Sequence, residues 1–126
     1  MYDFDLSGKV IFLTGATGLL GSSYAKFLAK NNASLILCDI DLRSTDKLAE
    51  SISNKYNVKT IGLFCDVCDK ASIEECARVG YKKFGKITSV INNAAATGEF
   101  LMKKGKLFTE FSDFDLELWN ATIKTN

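Results

Sequence analysis

The sequence predicts an α/β fold built on a doubly wound parallel sheet of four strands in the spatial order 3-2-1-4. Three observations carry that prediction. Short apolar runs end in glycine, asparagine or aspartate, apolar residues at helical spacing lie between successive runs, and the intervals suit right-handed βαβ crossovers.

The first run, Lys9-Val10-Ile11-Phe12-Leu13-Thr14, is almost wholly apolar and ends in a glycine-rich turn, as a strand buried on both faces does. From Leu19 the apolar residues change to helical spacing. Leu20, Tyr24, Phe27 and Leu28 form the side expected to face the core, and Asn31-Asn32 supply the stop. Leu35-Ile36-Leu37-Cys38 is the second strand, ending at Asp39. Ser44 is placed to cap the next helix, whose Leu48, Ala49, Ile52 and Tyr56 make its inner stripe before Asn57 closes it.

Thr60 to Cys65 reads as the third strand. Asp69 caps a helix with Ile73, Cys76, Ala77, Gly80 and Phe84 inward, and Ile87 to Ile91 is the fourth strand. A loop then runs from Asn92 past Gly98 and Gly105, with Lys103, Lys104 and Lys106 beside Phe100, Leu101 and Met102, and reads as a solvated surface segment. Helix resumes near Ser112 or Asp113, with Leu116, Trp119 and Ile123 sharing a face. That stripe is still running when the sequence stops, and the fourth strand is left as a bare sheet edge. Both features predict a chain truncated at its C-terminus, prone to associate when isolated.

Length and composition limit what such a fold can do. The 126 residues suit one domain, 1–126, and a 47% hydrophobic, 25% charged composition is that of a protein that folds by burial. A net charge of +1 gives no electrostatic footprint for nucleic acid or an anionic membrane, so small-molecule or protein partners are expected. No apolar run reaches the roughly 18 residues of a membrane span and the start lacks a signal-peptide pattern, so the cytoplasm is the expected location. Cys38, Cys65, Cys68 and Cys76 fit reduced thiols. Although Cys65-Asp66-Val67-Cys68 spells C-x-x-C, zinc would need two more ligands, and with no histidine and no second such pair no metal site is expected.

The chemistry is carried by Thr14-Gly15-Ala16-Thr17-Gly18-Leu19-Leu20-Gly21, between the first strand and the first helix. Glycines there permit a tight turn and close approach of a pyrophosphate, and the following helix presents unpaired N–H groups and a partial positive charge. A P-loop is excluded, because Ser22-Ser23 follow Gly21 and no lysine can reach a terminal phosphate. Asp39 closes the second strand 18 residues after Gly21, near the distance at which an acid meets the adenosine ribose. Its charge would repel a 2′-phosphate, and neither Thr17 nor Ile40 offers a base to neutralise one. NAD is therefore expected over NADP, with Arg43 the one nearby cation that argues the other way. Gly15, Thr17, Gly18, Leu19, Gly21, Asp39 and Ile40 are the candidate cofactor residues of this Rossmann-type arrangement.

Thr14 to Gly21, Asp39, Asp66-Val67, Asn92-Asn93-Ala94-Ala95 and the interval from Trp119 to Asn126 together resemble the short-chain dehydrogenase/reductase family over nearly the whole chain. The resemblance implies an NAD-dependent oxidoreductase acting on an alcohol or carbonyl. It places Asp66 and Val67 against adenine, gives Asn93, Ala94 and Ala95 a part in stabilising the sheet and lining the cofactor channel, and implies a homo-oligomer at full length. It also makes Asn126, seven residues beyond Trp119, the holder of a water in a catalytic proton relay.

Two departures accompany it. The spacing Gly15-x-x-Gly18-x-x-Gly21 resembles the family's extended branch of sugar-nucleotide epimerases and dehydratases, while Asn92-Asn93-Ala94 and the Trp119 to Asn126 interval resemble the commoner oxidoreductase branch, which two features support. None of Tyr2, Tyr24, Tyr56 or Tyr81 has a lysine four residues on, so the family's Tyr-x-x-x-Lys pair does not occur in these 126 residues. A chain that binds cofactor without completing the transfer is expected, and a non-catalytic nucleotide-binding fragment is the alternative from outside enzymology.

Overall fold

The computed structural model describes residues 4–96 and 110–126. They divide into two compact units, Met1–Asn93 and Ala94–Asn126. In the first unit β1 (Val10–Thr14), α1 (Leu19–Lys30), β2 (Ser34–Asp39), α2 (Leu42–Tyr56), β3 (Thr60–Phe64), α3 (Lys70–Phe84) and β4 (Ser89–Ile91) follow one another along the chain. The second unit contains a short 3-10 turn at Phe111–Asp113 and α4 (Leu116–Thr125).

All strand pairs are parallel and the sheet order is β3-β2-β1-β4, as the alternation of runs predicts. Ile11 aligns with Leu35 on one side and Ser89 on the other, so β1 lies at the reversal of strand order.

The period-two alternation of strand side chains splits the core into two layers. Ile11 and Leu13 of β1 and Leu35 and Leu37 of β2 pack on one face with Ala25 and Ala29 of α1 and Ala49 and Ile52 of α2. On the other face Val10, Phe12, Ile36 and Cys38 meet Cys65 and Cys76, with Val67, Phe84 and Ile87 partly buried beside them. A sheet covered on both faces has no room for polar side chains in its central strands, which is why β1 and β2 read as unbroken apolar runs.

Helix ends follow local chemistry. α2 closes on Asn57 in the left-handed conformation at φ 53°, and α3 closes on Gly85 at φ 73°. Asp69 caps α3 by accepting from the Ala71 amide at 3.0 Å. α2 begins earlier than its sequence pattern suggests: the cap is Asp41, which accepts from the Ser44 amide at 3.0 Å and the Ser44 hydroxyl at 2.7 Å. A carboxylate two residues beyond β2 displaces Ser44 from the capping role because its two oxygens serve both donors. α4 starts later than the sequence pattern suggests, at Leu116, with Asp115 accepting from the Glu117 amide at 2.8 Å; the Ser112–Asp113 stretch lies within the 3-10 turn.

Two helix faces differ from expectation. Leu20, Tyr24 and Phe27 of α1 are exposed, Leu20 by 57% and Phe27 by 53%, and the buried residues are Gly21, Ala25 and Ala29, with Leu28 partly buried. In α4 Leu116, Trp119 and Ile123 are exposed and Leu118 is buried, while the Phe114 and Trp119 rings meet edge to face at 6.4 Å. Ile73 of α3 is exposed, though Cys76 and Gly80 are buried and Ala77 and Phe84 partly so, as the helical spacing requires. Among the described residues no helix is long and apolar enough to cross a membrane.

Candidate functional site

The C-terminal ends of β1 and β2 converge on the glycine turn. Gly15 takes φ +63°, a left-handed conformation that costs a side-chain-bearing residue and lets the chain reverse directly after Thr14. The turn is tied to β2 by two bonds: the Ala16 amide donates to the Cys38 carbonyl at 3.1 Å and the Thr17 amide donates to Asp39 Oδ2 at 2.9 Å. The Asp39 carboxylate therefore sits at the mouth of the turn, half-buried, with Oδ1 also accepting weakly from the Asp41 amide at 3.4 Å.

Gly18 is the extended N-cap of α1 and, having no side chain, leaves the helix start uncapped; the first turn carries no acid. Its amide donates to the Gly15 carbonyl at 3.3 Å. A side chain at Gly21 would overlap the Gly15 carbonyl oxygen, so the third glycine is what lets α1 pack against the turn. Leu19 and Ile40 flank this mouth in sequence and are 87% and 69% exposed. A helix N-terminus held this way, with no side-chain cap and no acid in its own first turn, is chemically an anion site.

On the β4 side, Asn93 fastens the turn from the opposite direction. Its side-chain amide donates to the Thr14 carbonyl at 3.2 Å and the Gly15 carbonyl at 3.1 Å, and its backbone amide donates to Thr14 Oγ1 at 3.1 Å. Thr14 Oγ1 in turn donates to the Ile91 carbonyl at 3.4 Å, so the hydroxyl joins β1 to β4 just where the strand order reverses.

Asp66 and Val67 follow β3. The Asp66 carboxylate accepts from the Cys68 amide at 2.8 Å, its backbone amide donates to the Ser72 hydroxyl at 3.0 Å, and Val67 packs against the α3-side core. Gly15, Thr17, Gly18, Asp39 and Asn93 are thus linked through backbone and side-chain bonds, with Gly21 packed closely against Gly15, whereas Asp66 and Val67 form a separate turn anchored on α3.

Thr14 and Ser72 were not among the site residues expected from sequence. Thr14 had one signal, as the last strand residue before the glycines; Ser72 had none, because its role depends on where α3 returns to the sheet.

In the second unit Asn126 is the C-cap of α4. Its Oδ1 accepts from the Ala96 amide at 2.7 Å and its Nδ2 donates to the Ala96 carbonyl at 3.4 Å, so both ends of the side chain hold the backbone just after Ala94 and Ala95. Ala94 is half-buried and Ala95 exposed. The cationic and apolar stretch around Lys103 lies outside the described residues.

Of the cysteines, the structure groups Cys38, Cys65 and Cys76, with every Sγ within 4.8 Å of the other two; Cys68, the second cysteine of the C-x-x-C, is not in the group. Burial pushes the Cys76 thiol up to about 11 and the Cys38 thiol higher still, with the neighbouring sulfurs adding to the effect, and raises Cys65 as well.

Comparison with known proteins agrees with this architecture. The model of the short chain dehydrogenase family matches residues 9–126. The NADP-dependent mannitol dehydrogenase of Alternaria alternata is 33% identical over 98% of this chain and 44% of its own length. The 3-oxoacyl-acyl-carrier-protein reductase of Aquifex aeolicus is 30% identical over 98% of this chain and 46% of its own. Among solved structures, an NAD+-bound xylitol dehydrogenase superposes with a TM-score of 0.82 at 24% identity, covering 94% of this chain and 42% of that one. The chain spans less than half the length of these relatives.

Proposed function

The chain belongs to the short-chain dehydrogenase family, and from that premise we propose that it is the cofactor-binding half of an NAD-dependent oxidoreductase that interconverts an alcohol and a carbonyl. The observation that carries the reading is the Asp39 carboxylate drawn to the mouth of the glycine turn by the Thr17 amide, beside an uncapped helix start.

These residues fit a nicotinamide dinucleotide. The close approach at Gly21 and the donor-rich start of α1, with Leu19 at its head, suit a pyrophosphate. Each Asp39 oxygen keeps lone-pair capacity for a ribose hydroxyl beyond its one backbone bond. The same charge disfavours a 2′-phosphate, which supports NAD over NADP, although relatives of both kinds exist. Ile40 borders the ribose end, Asp66 and Val67 border adenine, and Asn93 holds the turn in shape through Thr14 and Gly15. The resemblance supplies the roles of the second unit: Ala94 and Ala95 line the cofactor channel and Asn126 positions a relay water.

The bound dinucleotide would supply the hydride acceptor or donor. The proton on the substrate oxygen needs a separate acid, and the Tyr-x-x-x-Lys pair that the family uses does not occur in these 126 residues. We therefore propose that they bind NAD without turnover, as one domain of a cytoplasmic enzyme that is an oligomer at full length. The glycine spacing supports a second reading, a sugar-nucleotide epimerase or dehydratase, which conversion of UDP- or GDP-sugars by the full-length protein would reveal.

Calorimetric titration tests the cofactor reading. NAD should bind more tightly than NADP. Asp39→Ala should weaken NAD by roughly 1–3 kcal/mol, the scale of charged hydrogen bonds, and weaken NADP less because it also removes a repulsion. Equal NAD affinity in the variant, or no heat with NAD at millimolar concentration, would remove Asp39 or the whole site from the proposal.

A further inference from the structure

Cys38, Cys65 and Cys76 come from three different segments: the end of β2, the residue after β3, and the second turn of α3. They meet in the α3-side core, where all three are at most 3% exposed and Val10, Phe12 and Ile36 complete the buried cluster. Every Sγ lies within 4.8 Å of the other two, whereas three sulfurs bonded to one pyramidal centre at about 2.3 Å stand roughly 3.5 Å apart. Rotation of the three side chains must therefore draw the sulfurs inward to bring them onto one centre. The cofactor proposed above uses none of the three side chains.

We propose that this triad is a binding site for a trivalent thiophilic ion, with arsenic(III) as its ligand. Charge balance selects the valence. Three thiolates on a monovalent or divalent ion leave a net negative charge in an apolar core, and Asp66 and Glu75, adjacent in sequence to Cys65 and Cys76, oppose it further. Three thiolates on a trivalent ion are neutral.

The step is a condensation in which no atom changes oxidation state. Arsenous acid meets three thiols, three As–O bonds break and three As–S bonds form. Each released hydroxide takes one thiol proton, so three waters leave. Cys76 gives up the bond its Sγ makes to the Phe64 carbonyl at 3.0 Å, and the thiols give up the hydrogen bonds they make to one another and, for Cys65, to Ser72.

Arsenite added to the reduced protein tests the site. Native mass spectrometry should show a gain of one arsenic less three hydrogens. X-ray absorption at the arsenic edge should show three sulfur neighbours, and the thermal midpoint should rise, as it does for a ligand that binds only the folded state. Cys68→Ala should retain the adduct, while Cys38→Ala and Cys76→Ala, checked for fold by circular dichroism, should lose it. Two sulfurs and one oxygen at arsenic would mean that the three cysteines do not act as one site and would overturn the proposal. It would fall equally if the folded protein took up no arsenic, or if zinc raised the midpoint more than arsenite does. The wild-type spectrum decides the matter even if a cysteine variant fails to fold.

Discussion

At the scale of single residues, the three glycines of the turn are not equivalent. Gly21 is boxed in: a Cβ there would overlap the Gly15 carbonyl oxygen and lie 3.0 Å from the Ala16 Cα, both backbone groups that cannot rotate away. Gly18 has φ −67° and only an ordinary 3.4 Å contact to the same oxygen. Gly21→Ala should therefore lower stability by about 1–3 kcal/mol, the range for overpacking, while Gly18→Ala should stay within about 0.5 kcal/mol. Urea denaturation of both variants, with unchanged m-values, is the measurement. Equal losses would mean that α1 can shift away from the turn and that Gly21 is present for another reason.

The elements show where physical reasoning from sequence succeeds and where it fails. β1 and β2 were legible because a central strand covered on both faces must be apolar at every position. The glycine turn and Asp39 were legible because their spacing is local. The inner face of α1 was misread for a reason that Gly21 explains. A helix held this close to its sheet buries small residues, Ala25 and Ala29, and turns Leu20, Tyr24 and Phe27 outward, so ranking faces by side-chain size inverted the answer. Asn93 was legible only through family resemblance, and the cysteine triad not at all, since Cys38, Cys65 and Cys76 have no spacing in common that marks a site.

The α1 inversion has a direct test. Phe27→Lys should change stability by no more than about 0.5 kcal/mol, whereas Ala25→Leu, at a position with no exposed surface, should cost roughly 1–3 kcal/mol. The opposite ranking in thermal or urea unfolding would restore the face read from sequence.

The α2 cap makes a pH-dependent prediction. The Ser44 hydroxyl and amide hold the Asp41 carboxyl below its ordinary value. A carboxyl whose pKa is lowered on folding stabilises fully above its unfolded value and loses that contribution as pH falls through the folded one. The urea midpoint of the wild type should exceed that of Asp41→Ala by a constant margin from about pH 7 to about pH 5, and the margin should narrow below about pH 4. A margin independent of pH would mean that the hydrogen bonds act without the charge.

For the molecule as a whole, the two edges of the sheet are treated differently. β3 is guarded: Lys83 reaches from α3 to donate from its ammonium to the Thr60 carbonyl at 3.0 Å, so a charge blocks the outer side of that strand. β4 pairs, among the described residues, with β1 alone, and its central Val90 is 57% exposed. An apolar edge with unpaired backbone groups is a template for another strand, and nothing on β4 repels one. The 126-residue chain should therefore associate through β4 rather than β3. Sedimentation equilibrium should show an average mass that rises with concentration, and Val90→Lys should suppress the rise. Lys83→Ala should strengthen association by opening the second edge. If Val90→Lys leaves the concentration dependence intact while Lys83→Ala changes it, then β3 is the sticky edge. The exposed Phe64 at its end would then outweigh the lysine that covers Thr60.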